Sequence, residues 1–251
     1  MKKQFILLLS TLSSFVLNGT ISEIKHITEL KKYLCYPQNT LMIFDIDNTI
    51  IESSSTDGSD QWFYAAIAYF QDQGLTYKEA YNKVMPLYLD SNKKNGVKLV
   101  EKEIVELIQA FQKKGMLIIA LTARSEPIKL TTVDQLNKLE IDFSKNEFNG
   151  REITFKHKIP ASFYKGILFC GDNNKGTILQ DFLKQTNYKP SSIVFVDDKE
   201  FYLSCVEHAL KETRIPFIGL RYSYLDHKVN NFQFNQEMLF DSKLCRSILS
   251  I

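Results

Sequence analysis

Five short apolar runs, each ending in a cluster of polar or acidic residues, constrain the fold of this chain most strongly. They are residues 41–44, 117–121, 167–170, 193–196 and 216–220. Each is nearly continuous in apolar character, as a strand buried on both faces of a parallel sheet must be. Segments with helical spacing lie between them. Residues 100–114 place Ile104, Leu107, Ile108 and Phe111 on one face and stop at Gly115. Ser125 predicts the N-cap of a helix running to about Leu139, with Pro127 in the first turn, where a missing N–H costs little. Residues 175–185 and 199–212 read as two further helices. This alternation predicts an α/β fold with a parallel sheet and right-handed crossovers.

One stretch interrupts the alternation. Between Ile51 and Lys98 no strand pattern occurs. Trp62, Phe63, Ala66, Ile67 and Phe70 instead follow helical spacing, and Thr76-Tyr77-Lys78-Glu79 reads as the capping box of a second helix. Residues 141–165 are less regular, with Asn149-Gly150 as a turn signal, and read as a hairpin excursion between strands. Residues 232–251 are expected to form a C-terminal helix with Met238, Leu239, Leu244 and Ile248 as its apolar contacts.

The first residues form a separate unit. Met1-Lys2-Lys3 precedes an apolar run, residues 5–17, and a small polar segment, residues 18–22, in the order of a secretory signal peptide. The apolar run falls short of the roughly 20 residues that a spanning helix needs. The expectation is export, periplasmic or secreted, with a cut after Gly19 or Ser22 and no membrane span left afterwards; the alternative is a packed N-terminal helix in a cytoplasmic protein. The division is then a leader, residues 1–22, and one domain, residues 23–251, carrying an insertion at about 52–98. A composition of 44% hydrophobic and 24% charged residues fits a folded domain, and a net charge of +2 gives no general drive toward nucleic acid. Cys35, Cys170, Cys205 and Cys245 contain no C-x-x-C pair, which argues against zinc; export would permit disulfides, in any of three pairings. Cys170 ends an apolar run and reads as a buried thiol.

Ligands of open α/β sheets bind at the carboxyl ends of the strands. The residues that follow each run are therefore the candidates for chemistry. Asp45, Asp47 and Thr49 follow the first; Thr122, Arg124 and Ser125 the second; Gly171, Asp172 and Lys175 the third; Asp197 and Asp198 the fourth. Several carboxylates can neutralise a divalent cation, and Mg²⁺ prefers oxygen ligands. A hydroxyl, a lysine and a helix start suit a phosphate, and a carboxylate can attack phosphorus.

In these residues the chain resembles the haloacid dehalogenase (HAD) superfamily, over about residues 40–220. DIDNT at 45–49 resembles the first motif, D-x-D-x-T; Leu121-Thr122 the second; Lys175 the third; and VFVDD at 194–198 the double-aspartate fourth. The resemblance implies a HAD-like α/β sandwich of three layers with a central parallel sheet and a small helical cap, and hydrolysis of a phosphomonoester through an aspartyl-phosphate with Mg²⁺. Asp45 would be the nucleophile and a metal ligand. Asp47 would be the general acid/base, its backbone carbonyl on the metal. Thr122 would hold a phosphoryl oxygen, and Lys175 would offset the negative charge. Asp197 would reach the metal, with Asp198 assisting. An aspartate two residues after the nucleophile resembles the phosphatases of the family rather than its dehalogenases. Asn48 stands where many members have glycine, and asparagine tolerates unusual backbone angles.

Other residues have two readings. Arg124 either contacts substrate or is a solvated loop arginine, and Asp172 either joins the acidic edge or starts a turn. Trp62, Phe63, Tyr64 and Phe70 either line a substrate entrance or form a core stripe, and Tyr69, Tyr77, Tyr81 and Tyr88 are no better marked. His26, His157, His208 and His227 show no metal-binding interval, and neither a G-x-S-x-G elbow nor a nucleotide-binding glycine motif occurs. The expected partner is a phosphorylated small molecule. The competing expectation is a catalytically silent binding module on the same fold.

Overall fold

The computed structural model describes residues 20–145, 148 and 150–239. Its strands, in chain order, are β1 (Thr20–Ile24), β2 (Thr40–Phe44), β3 (Ile51–Ser53), β4 (Val97–Leu99), β5 (Leu117–Thr122), β6 (Glu152–Phe155), β7 (Ala161–Tyr164), β8 (Ile167–Phe169), β9 (Ser192–Asp197) and β10 (Phe217–Tyr222). The helices used below are α1 (Asp60–Asp72), α2 (Tyr77–Lys94), α3 (Glu103–Lys113), α4 (Lys129–Lys138), α5 (Lys175–Thr186) and α6 (Glu200–Leu210). Eight strands form one sheet in the order β1-β10-β9-β2-β5-β8-β7-β6; every pair from β1 to β8 is parallel, and β7 and β6 are antiparallel. All five apolar runs are parallel strands of this sheet, so the expected α/β sandwich is the architecture found.

Successive residues of a strand point to opposite faces, and that alternation builds the layers. Met42 and Phe44 face α3, together with Ile118 and Ala120 of β5. Leu41 and Ile43 face α5 and α6, together with Ile119, Leu121, Ile193 and Phe195. The residues between Ile51 and Val97 stand outside this sandwich. There α1 and α2 pack their apolar faces on one another through Trp62, Ile67, Phe70, Val84 and Leu87. Ser59 caps α1 by accepting from the Trp62 N–H, and Thr76 and Glu79 form the expected capping box of α2.

Several local expectations are corrected. Residues 51–53 and 97–99 form a short antiparallel ribbon, β3–β4, at the base of the insertion; three residues a side are too few for a period-2 pattern. β1 was not predicted. It is an edge strand held by backbone pairing to β10, with only Ile24 buried, so it needs little apolar sequence. The segment after Ser125 begins as a 3₁₀ turn, Glu126–Ile128, before α4, and the Ser125 side chain makes no capping hydrogen bond. Residues 232–235 are irregular, and Gln236–Leu239 is a 3₁₀ turn whose Leu239 is buried against α1 and α2. The leader up to residue 19, Asn149, Cys245 and the rest of the predicted C-terminal helix lie outside the described residues. Cys35, Cys170 and Cys205 are free thiols.

Candidate active site

Register brings the acidic segments together. β2 lies between β9 and β5, with Phe44 opposite Val196 on one side and Ala120 on the other. The chain therefore leaves the sheet at the same level from three neighbouring strands. The Asp45 N–H extends the ladder by donating to the Val196 carbonyl at 2.8 Å, which sets Asp45 beside Asp197. Thr122 ends β5 on the other side and is buried. Lys175 arrives from β8 through a tight turn. Gly171 has φ +57°, a left-handed conformation that costs glycine little. Asn174 then caps α5 by accepting from the Thr177 N–H at 3.1 Å. The residue after the lysine is Gly176, where a Cβ would stand 2.3 Å from the Cys205 carbonyl oxygen. Glycine thus lets α5 lie close against α6 with Lys175 at its first turn.

The Lys175 ammonium is wholly buried and donates to Asp45 Oδ1 at 2.6 Å and Asp197 Oδ2 at 2.8 Å. Asp198 joins them: one carboxylate oxygen from each of Asp45, Asp197 and Asp198 lies within 4.8 Å of the others. Three carboxylates around one lysine leave an excess of negative charge. Burial, then the neighbouring Asp197 and Asp47 charges, lift the Asp45 carboxyl to about 7 against the pull of Lys175. Burial also raises Asp197, and burial together with Asp197 and Asp45 raises Asp198 well above the carboxylate range. Burial alone would lower Lys175, but the two aspartates outweigh it and hold the ammonium charged. An all-oxygen, charge-excess cluster of this size matches what Mg²⁺ accepts, so the residues fit the cation. Among the described residues it is the cluster of acidic, histidine and cysteine side chains with metal-ligand spacing.

Asp47 points elsewhere. Its two oxygens accept from Arg124 Nε at 2.8 Å and Nη2 at 2.9 Å, a bidentate pair. The same guanidinium donates through Nη1 to Thr132 Oγ1 at 3.0 Å and Gln135 Oε1 at 2.7 Å. Arg124 is only 3% exposed. The solvated-arginine expectation is therefore corrected: apolar and amide surroundings bury the head group, and four hydrogen bonds hold it. Arg124 reaches Asp47 because β5 ends beside β2 and places the residue two beyond Thr122 against the second aspartate. The Asp47 side chain stands outside the acidic cluster of Asp45, Asp197 and Asp198. Asn48 has φ 58°, the left-handed conformation that asparagine tolerates; its amide donates to Asp198 at 3.5 Å.

Two features were missed in the sequence. Lys199, directly after the aspartate pair, donates to Asp60 at 2.6 Å and tethers the N-terminus of α1 to the sheet domain. Its ammonium lies 4.2 Å from the centroid of the Tyr64 ring, and Lys175 lies 4.2 Å from that of Tyr202. The first signal was present as a lysine beside the fourth motif, but its partner lies 139 residues away. The second feature is a cavity of ≈ 40 Å³ between the insertion and the sheet edge, bordered by Asp47, Arg124, Asp172 and several aromatic residues. Phe63 and Tyr64 border it, as do Tyr77, Tyr81 and Tyr88, whereas Trp62 and Phe70 belong to the core of the insertion. Asp172 accepts a hydrogen bond from the Tyr77 hydroxyl at 3.4 Å.

A family model described as "Protein of unknown function (DUF2608)" matches residues 23–244 of this chain. A chlamydial relative, from Chlamydia trachomatis and named "Putative outer membrane protein", is 27% identical over 218 residues, covering 86% of this chain and 82% of the relative. An uncharacterised protein of Rickettsia bellii is 25% identical over 264 residues, covering 94% and 88%. Among solved structures, a haloacid dehalogenase-like family hydrolase from Streptococcus pneumoniae is similar over 72% of this chain and 94% of its own, at 14% identity and a TM-score of 0.45. No helix among the described residues is long and apolar enough to cross a membrane.

Proposed function

The chain belongs to the DUF2608 family, and from the chemistry of its site we propose that it is a Mg²⁺-dependent phosphomonoesterase that works through an aspartyl-phosphate. The observation that carries this reading is the division of the two aspartates of DIDNT: Asp45 sits with Lys175, Asp197 and Asp198, whereas Asp47 is held apart by Arg124. One carboxylate is placed with the charge-neutralising groups and its neighbour is aimed at the cavity.

Asp45 Oδ1 is occupied by Lys175, which leaves the second oxygen to attack phosphorus. The bond from phosphorus to the leaving oxygen breaks, and Asp47 supplies the proton that makes the leaving group an alcohol. Asp47 then takes a proton from water as that water attacks phosphorus. The bond to Asp45 breaks, and inorganic phosphate leaves with the Asp45 carboxylate restored. Arg124 is a positioning residue: it fixes both Asp47 oxygens while leaving each a further lone pair for proton transfer. Lys175 holds the Asp45 carboxylate ready and offsets charge on the phosphoryl group, and Thr122, at the end of β5, would offer its buried hydroxyl to a phosphoryl oxygen. Bound to Asp45, Asp197, Asp198 and the Asp47 carbonyl, Mg²⁺ would supply Lewis-acid stabilisation of the phosphoryl oxygens.

The reading includes export. It rests on the charged, apolar and polar order of residues 1–22, and the outer-membrane name of the chlamydial relative supports it. A cut after Gly19 leaves β1 whole, whereas one after Ser22 removes three of its five residues. The reading is tested with p-nitrophenyl phosphate. Phosphate release is expected with Mg²⁺ and is expected to stop on chelation with EDTA. No turnover with Mg²⁺ on a broad phosphoester panel would favour the silent binding module.

A further inference from the structure

Resting on that phosphatase reading, we propose that the substrate's leaving group carries an ammonium ion. The cavity beside Asp47 is where a leaving group would sit once phosphorus is at Asp45. Five tyrosines border it: Tyr64, Tyr77, Tyr81, Tyr88 and Tyr202. Its charges are unequal. Asp47 is matched by Arg124 and Asp60 by Lys199, but Asp172 has no basic partner among the described residues. Every positive group on this wall is already spent on a carboxylate. An anionic leaving group, such as one bearing a carboxylate or a second phosphate, therefore meets no free cation here. An ammonium meets one unmatched carboxylate and several aromatic rings.

Aromatic rings attract cations through the negative potential above their faces. Two of them already do so, since Lys199 and Lys175 stand 4.2 Å from the Tyr64 and Tyr202 centroids. Among the described residues no cation stands over Tyr77, Tyr81 or Tyr88. The hydroxyls of Tyr81 and Tyr88 carry no hydrogen bond there, although Tyr88 is only 7% exposed.

The experiment compares phosphocholine with its uncharged carbon isostere, 3,3-dimethylbutyl phosphate, using the Mg²⁺-loaded full chain, and includes 3-phosphoglycerate and p-nitrophenyl phosphate. The expected result is a kcat/KM about tenfold higher for phosphocholine than for the isostere, with phosphoglycerate poorest. Asp172→Asn and Tyr88→Leu should each narrow that ratio. Equal or better turnover of the isostere or of phosphoglycerate, with p-nitrophenyl phosphate still hydrolysed, overturns the inference and leaves the phosphatase reading standing. If no phosphoester is turned over, the phosphatase reading falls and choline alone judges the cage. Calorimetric titration of choline into the metal-free protein then supports the aromatic site if it binds and overturns it if it does not.

Discussion

Asp45→Asn is expected to lower phosphate release on the order of 10⁴-fold or more, while the chain remains folded. The amide keeps the shape of the side chain but removes the oxygen nucleophile. Its effect on stability should have the opposite sign to a loss of packing. Burial holds the Asp45 carboxyl up at about 7. Replacing it with a neutral amide relieves that cost, and Asp197 remains as the partner of Lys175. The urea midpoint in EDTA at pH 8 should therefore match or exceed that of the native chain. Asp47→Asn is the informative companion. A lost proton donor is worth about 10²–10⁴-fold, and the loss should be larger for alkyl phosphates than for p-nitrophenyl phosphate, whose leaving group needs little protonation. Equal losses on both substrates would remove Asp47 from the acid role. An Asp45→Asn chain that retains turnover would remove the aspartyl-phosphate.

Lys175→Met is expected to destabilise the metal-free protein by about 3–5 kcal/mol at neutral pH. Methionine keeps the length and apolar stem of lysine but leaves Asp45 and Asp197 facing one another without the ammonium that now bonds both. The cost should shrink near pH 4, because the two carboxyls can then carry protons and no longer repel. Mg²⁺ should recover part of the loss at neutral pH by replacing the missing charge. Urea unfolding in EDTA at pH 4 and pH 7, repeated with Mg²⁺, measures both dependences. A loss below about 1 kcal/mol at neutral pH would mean that the lysine bonds are solvated ion pairs and not the electrostatic centre of the site.

Much of the arrangement was legible before any coordinates. The apolar runs 41–44 and 193–196 read as strands buried on both faces, and ligand-binding residues follow the carboxyl ends of such strands. The aspartates that follow them were therefore expected at one edge of the sheet. What could not be read was lateral contact between segments with no shared pattern. Nothing in LTARS marks Arg124 as the partner of Asp47, because the pairing depends on β2 and β5 being adjacent in the sheet. Likewise Asp60 meets Lys199 only once α1 folds back over the sheet edge. The tyrosines show the same limit from the other side. Tyr77, Tyr81 and Tyr88 lie at helical spacing on α2, and spacing alone does not say whether a face turns to a core or to a cavity. The short strands β1 and β3 failed for another reason: edge pairing uses the backbone, and backbone hydrogen bonds leave little trace in side-chain pattern.

The most direct measurement is the effect of Mg²⁺ on thermal unfolding as a function of pH, in the native chain and in Asp198→Asn. Unfolded, Asp45 ionises at its ordinary value of 3.8; folded without metal, it holds its proton to about 7. The native state thus binds more protons than the unfolded state across that window, and metal-free stability falls as pH rises through it. A bound cation favours the ionised carboxylates and removes the penalty. The predicted result is a rise in Tm with Mg²⁺ that is small near pH 4, grows toward pH 7–8, and is much reduced in Asp198→Asn. A Tm indifferent to Mg²⁺ at every pH, or raised equally in the variant, would contradict the assignment of Asp45, Asp197 and Asp198 to one cation.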